Sequence, residues 1–197
     1  MNVLRPRLIR PLLAAASLLV FGCASPPEAE KKAAHDSVSL AKSAGADRYA
    51  ASEFTVMTAA VKKAEAEMTA QAYKEAKASY VRVKDLADNA ARAALSGKAA
   101  MKAELEKQLG LLVQRWEDLQ GKVQAVAKKM KAEQKRLWDA DAKTVAAGLG
   151  AAKVAVVTDL GEAKQRLAPI GATLDKWEAD LAVLTAPVER PPAKGKS

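Results

Sequence analysis

A single cysteine, a single histidine and scattered carboxylates are the residues of this chain that could carry chemistry. Cys23 closes the apolar run "SLLVFGC". A thiol acts as a nucleophile or metal ligand as its thiolate, which requires a basic neighbour or a metal to form, and no histidine stands close to it in sequence. One cysteine builds no internal disulfide framework, and one histidine, His35, builds neither a histidine-based triad nor a zinc cluster. His35 stands among small polar residues and is expected on a solvated helix face. Glu117, Asp118, Asp139 and Asp141 could exchange protons, but general acid–base catalysis needs a concave site and shifted pKa values. No enzyme activity is expected, and no catalytic, metal-ligating or cofactor-binding residue is assigned. A small-molecule substrate is not expected either.

The segment before Cys23 gives it a different role. Met1 to Arg10 carries Arg5, Arg7 and Arg10 and no acid, and Pro11 to Phe21 is an eleven-residue apolar run. A spanning helix needs about 20 apolar residues, whereas a secretory signal uses a short apolar core behind a basic start. Gly22 supplies a small residue just before the cut. "VFGC" resembles the lipobox of bacterial lipoproteins, in which the cysteine is lipidated and becomes the first mature residue. Phe21 departs from the small residue usual there. An ordinary signal peptide with a cysteine by chance is the alternative. The resemblance implies cleavage between Gly22 and Cys23, acylation of Cys23 and a membrane partner reached through that lipid. With Ala24 and Ser25 in place of an aspartate after the cysteine, it also implies the outer membrane, facing the periplasm. Residues 1–22 are then the signal peptide. Residues 23–30 form a lipidated tether that Pro26 and Pro27 stiffen.

Everything after the tether must be held by helices. Alanine, lysine, glutamate and leucine dominate, aromatics are 4%, and no stretch alternates apolar and polar residues as a half-buried strand does. The composition predicts an all-α fold. Residues 31–96 are expected to form three short helices. Gly45 stops the first, Tyr49 and Phe54 staple a second whose N-cap is Ala50, and a third runs from Tyr73 through Leu95 with Tyr80, Val83 and Leu86 on its apolar stripe. "AKSAGADRYAASEFTVMTAAVKKAEAEM" and the following "AYKEAKASYVRVKDLADNA" resemble the helical periplasmic domain catalogued as domain of unknown function 4398. Gly45, Ala46, Tyr49, Ala50, Glu53, Ala64 and Tyr73 carry the likeness, and Ala51 departs from a usual proline. That family brings no catalytic residue.

Residues 97–187 carry the strongest periodicity. Leu105, Leu109, Leu112, Trp116, Leu119, Val123, Val126 and Met130 follow alternating spacings of four and three, and Leu137 continues the series. A second series contains Val156, Leu160, Ala163, Leu167, Ile170, Leu174, Trp177, Leu181 and Leu184. Both read as coiled-coil seams. Gly148 and Gly150 between them suggest a reversal there, giving a long antiparallel coiled-coil hairpin. In that fold-back Trp116 faces Leu181 to Leu184 and Trp177 faces Leu119 to Val123. Pro169 and Gly171 are expected to kink or break the returning arm. Whether the third helix of the first unit runs on through "LSGKAAM" is open at this level.

The formal charge is +9, and losing Arg5, Arg7 and Arg10 leaves 9 − 3 = +6 on the mature chain. Between Lys98 and Arg136 stand ten basic and five acidic residues. They form either an ordinary solvated face or a surface for an anionic polymer such as peptidoglycan. Export disfavours nucleic acid. Residues 188–197 are expected to be a disordered basic tail. The expected function is a non-catalytic envelope scaffold with a protein or peptidoglycan partner, and the alternative is an adaptor that engages an envelope machine through its coiled coil.

Overall fold

The computed structural model describes residues 25–185, and its regular elements there are all α-helices. They are α1 (Glu28–Ser43), α2 (Ala46–Tyr49), α3 (Ala51–Thr69), α4 (Tyr73–Val126), α5 (Ala132–Thr158) and α6 (Leu160–Thr185). The all-α fold is therefore the one the chain adopts. Gly22, Cys23 and the tail 188–197 lie outside the described residues.

The first unit forms from local signals. α1 opens with Glu28 and Glu30 and closes with Lys42, charges that complement the helix dipole. Gly45 ends it at φ 78°, a left-handed conformation that a Cβ would strain. After the single turn of α2, Ala50 takes the N-cap of α3. The chain then reverses through Gln71, at φ 58°. α1 runs parallel to the start of α4, because Glu30 pairs with Lys77 at 2.9 Å and His35 lies beside Tyr80. α3 runs the opposite way, also packed on α4, and offers Glu65 to His35 at 2.9 Å. Val38, Met57, Tyr80, Val83 and a set of buried alanines make the core. Alanine at these positions lets the helices approach closely. The Tyr80 hydroxyl is buried without a hydrogen-bond partner among the described residues. Burial, followed by the nearby Glu65 carboxylate, pushes its pKa up to about 12.

Ser96 and Gly97 do not interrupt the third helix. α4 is 54 residues long, which at 1.5 Å per residue makes a spine of about 80 Å. The boundary expected at residues 96 and 97 falls inside it. Gly97 has a steric reason for its place: an added Cβ would lie 2.2 Å from the Tyr49 carbonyl oxygen. The corner between α2 and α3 therefore rests directly on the α4 backbone, and Tyr49 contributes to the packing of both units.

The second unit differs from a two-armed hairpin. α5 passes through Gly148 and Gly150 without turning. The reversals lie at residues 127–131 and at Asp159. The upper half of α4, α5 and α6 pack as a second up-down-up bundle. An antiparallel helical hairpin is present, but its arms are α5 and α6: Asp141 meets Trp177, and Gly148 meets Ile170. α6 instead runs parallel to α4, since Leu112 lies by Gly171 and Arg115 by Asp175 and Glu178. Leu119 and Leu181 enter one core, at one level of that parallel pair.

The reasons are local. A helical glycine costs only about 1 kcal/mol relative to alanine, less than the burial that Val145, Leu149, Ala152 and Val156 achieve by keeping α5 continuous. At Gly148 an added Cβ would meet Ile170 at 3.1 Å, so this glycine serves packing rather than reversal. Asp159 supplies the real stop: its Oδ1 accepts the Gly161 and Glu162 backbone N–H groups at 2.8 and 3.1 Å, an N-cap for α6. α6 also runs unbroken through Pro169. That residue is exposed, which keeps its ring away from the core.

Candidate functional site

Three tryptophans converge in the second bundle, one from each helix. Trp116 of α4 stacks on Trp138 of α5, with ring centroids 5.3 Å apart and planes at 28°. Trp138 in turn meets Trp177 of α6 edge-on, at 5.2 Å and 86°. Offset-stacked and edge-to-face arrangements are the favoured aromatic geometries. Trp138 is thus the neighbour that Trp116 and Trp177 share. The periodic reading missed Trp138 because it carried the α4 phase through to Leu137. The segment 127–131 resets that phase, leaving Leu137 50% exposed and turning Trp138 inward. The signal available in the sequence was the third tryptophan itself, in a chain with 4% aromatics.

Polar groups fix the rim of this cluster. The Trp177 indole N–H donates to the Asp141 carboxylate at 2.8 Å, and Lys176 reaches the same oxygen at 3.4 Å. On the other side Arg115 donates Nε and Nη2 to Glu178 at 3.0 and 2.8 Å, and Nη2 to Asp175 at 2.6 Å. This fork holds α6 parallel to α4 in one register, as bidentate arginine pairs do. The Arg115 hydrogen bonds hold the Glu178 carboxyl below the ordinary 4.5, against an opposing effect of burial. A carboxyl depressed by folding stabilises the native state above its unfolded pKa and loses that contribution as pH falls through its folded value. Glu178→Gln should therefore lower the melting temperature at pH 7, and the gap to wild type should close below about pH 4.5. Circular-dichroism melts at pH 7 and pH 3 check this. A gap of equal size at both values would show that the fork is not the cause.

The seam residues mostly line the two cores of this unit. Trp116, Leu119, Val123, Val126, Met130, Ile170, Leu174, Trp177 and Leu181 are buried around the tryptophans. Leu105, Leu160 and Leu167 are buried nearer the waist, and Leu109, Leu112 and Leu184 are partly buried. α4 and α5 leave an open apolar groove of about 660 Å³ on one side, floored by Leu109, Val113, Trp116 and Leu149. Gly110 and Gly150 stand on its two lips, where an added Cβ would touch nothing within 4 Å.

The carboxylates named from the sequence lie on the surface of this unit or at the rim of the tryptophan cluster. Glu117, Asp118 and Asp139 are exposed, and Asp141 is tied to Trp177. No group of three or more metal-ligating side chains occurs among the described residues, and no described helix is long and apolar enough to cross a membrane. The arrangement can hold three helices in register and present surfaces. Comparison with protein-family models, curated proteins and solved structures gave no significant match.

Proposed function

We propose that this chain is a non-catalytic structural lipoprotein of the bacterial envelope, anchored at Cys23 in the outer membrane and facing the periplasm. The observation that carries the scaffold reading is α4. One uninterrupted helix of 54 residues belongs to both three-helix bundles and keeps them on one spine of about 80 Å. α1 begins at Glu28, five residues after Cys23 (28 − 23 = 5), beside the lower end of that spine. An acyl anchor at Cys23 would hold this end at the membrane and leave the other bundle projecting. The lipobox resemblance and the basic and apolar series before it support the anchor. The interspersed lysines of α4 support contact with an anionic wall polymer such as peptidoglycan.

Cys23→Ser in the native host tests the anchor. The variant is expected either as an uncleaved precursor or as an acyl-free soluble product, while the wild type stays with membranes and carries acyl mass on Cys23. Intact-mass detection of a cleaved, acyl-free wild-type protein would overturn the proposal. A second reading, an adaptor for a protein of an envelope machine, is favoured by the apolar groove between α4 and α5. Crosslinking in whole envelopes separates the two: recovery with purified sacculi supports the wall scaffold, and recovery with one discrete protein supports the adaptor.

A further inference from the structure

The end of the spine farthest from α1 is strongly basic. Residues 127–137 hold Lys128, Lys129, Lys131, Lys135 and Arg136 against Glu133, five cations minus one acid, or +4. All five cations are exposed, and among the described residues none makes an ion pair: the pairs of the second bundle involve Lys102, Arg115, Arg166 and Lys176. The N-terminus of the 27-residue α5 lies in this same segment, with the Lys131 N–H taken by the Gln134 side chain. Its positive dipole end adds to the field. α6 finishes here too, because Thr185 lies beside Lys122. The twelve residues after Thr185 contain Arg190, Lys194 and Lys196 against Glu189. Unpaired cations such as Lys42 and Lys62 also occur elsewhere among the described residues, beside pairs such as Lys32 with Asp36 and Lys84 with Asp88, but five cations within nine residues stand only here.

Two further features decide the kind of partner. Leu137 and Val183 are 50% and 78% exposed. The α5–α6 register set by Asp141 and Trp177 puts Leu137 level with Leu181, so Leu137 and Val183 both fall within about two turns of the basic end. Meanwhile the three tryptophans are spent in the core, so this end offers no exposed aromatic platform on which a sugar ring could stack. Dispersed cations beside exposed aliphatic side chains match a bilayer interface, where the cations meet headgroup phosphates and the aliphatic groups enter the acyl boundary.

We propose that the α4–α5 end is a docking surface for a bilayer carrying anionic phospholipid. Lys128, Lys129, Lys131, Lys135 and Arg136 take the phosphates, and Leu137 and Val183 seat in the interface. This goes beyond the scaffold reading and makes the molecule two-ended. If Cys23 is acylated, the two ends can hold two bilayers about one spine length apart.

The test uses the purified full chain, with acylation at Cys23 read beforehand by intact mass so that failure of the anchor is scored separately. The signal-cleaved Cys23→Ser chain, free of the apolar segment 11–21 that would itself bind bilayers, is mixed with vesicles of phosphatidylcholine alone or with added phosphatidylglycerol, and bound protein is measured by flotation. Binding to the anionic vesicles is expected, falling steeply with salt. At about fivefold per surface cation, Lys128→Glu with Lys129→Glu and Lys131→Glu should reduce partitioning on the order of a hundredfold or more. Leu137→Ser with Val183→Ser should weaken it further at high salt, where charge is screened. The same variants melt near wild type if folding is intact, because all the altered side chains are exposed. Equal binding to both vesicle types, or triple-variant binding like wild type, would overturn the proposal. Retention by purified sacculi with no flotation on anionic vesicles would overturn it as well and assign the basic end to the wall polymer.

Discussion

Replacing Trp177 by alanine is expected to unfasten the second bundle while leaving the first intact. Trp177 is 3% exposed, packs edge-on against Trp138 and donates its indole N–H to Asp141. Truncating a buried aromatic to alanine costs about 3–5 kcal/mol. A loss that large is a substantial part of the stability of any domain. Loss of the edge-to-face pair also frees Trp138, and with it the stacking on Trp116. Amide exchange across α5 and α6 should therefore quicken by two orders of magnitude or more, while Val38, Met57 and Val83 keep their protection in the separate core of the first bundle. Leu137→Ala serves as the contrast. Its side chain is half exposed, and its change should stay within about 0.5 kcal/mol. Equal loosening of both bundles by Trp177→Ala would mean that the shared spine couples them into one cooperative unit.

Gly97→Ala is expected to be destabilising although alanine is the better helix former. On propensity alone the change would stabilise α4 by about 1 kcal/mol. The new methyl carbon, however, would fall 2.2 Å from the Tyr49 carbonyl oxygen, well inside van der Waals contact. Forcing main chain apart in a packed interface costs typically 1–3 kcal/mol, so the corner from Ala46 to Phe54 should lift off the spine. The readout is a lower melting temperature together with faster amide exchange at Ala50 and Phe54, whose N–H groups bond to Ala46 and Ala50. Gly110→Ala and Gly121→Ala are the controls. Nothing lies within 4 Å of a Cβ at either position, so these changes should raise stability by up to about 1 kcal/mol. If Gly97→Ala stabilised the protein as they do, the corner would not rest on the α4 backbone.

The depth of the sequence signal differed from one element to the next. Gly45, Ala50 and the stripe through Tyr80 and Val83 were legible because capping and amphipathic periodicity act within a few residues. The heptad spacing identified which faces of residues 105–130 and 160–184 are apolar, and those positions are buried or partly buried. It did not say how many helices share them. A stripe of leucines and valines is satisfied equally by one opposing helix or by two, because burial is non-directional. The reversal was placed on Gly148 and Gly150, yet a glycine permits a turn without imposing one. The stronger stop was "DLGE", where Asp159 caps α6 with its side chain.

What the sequence by itself determined is the helical class, the apolar faces, the helix ends set by local capping and the excess of cations between Lys98 and Arg136. Each follows from propensity, periodicity or charge among near neighbours. The tertiary structure alone decided that α4 is one spine shared by two bundles, that α6 runs parallel to it, and that the tryptophans of three helices meet. Those outcomes depend on contacts between residues far apart in the chain: the Tyr49 carbonyl against Gly97, Arg115 across to Glu178, and Trp138 between Trp116 and Trp177. Such contacts depend on shape complementarity and directed hydrogen bonds at specific positions, and the pattern of apolar and polar residues along a helix does not encode them.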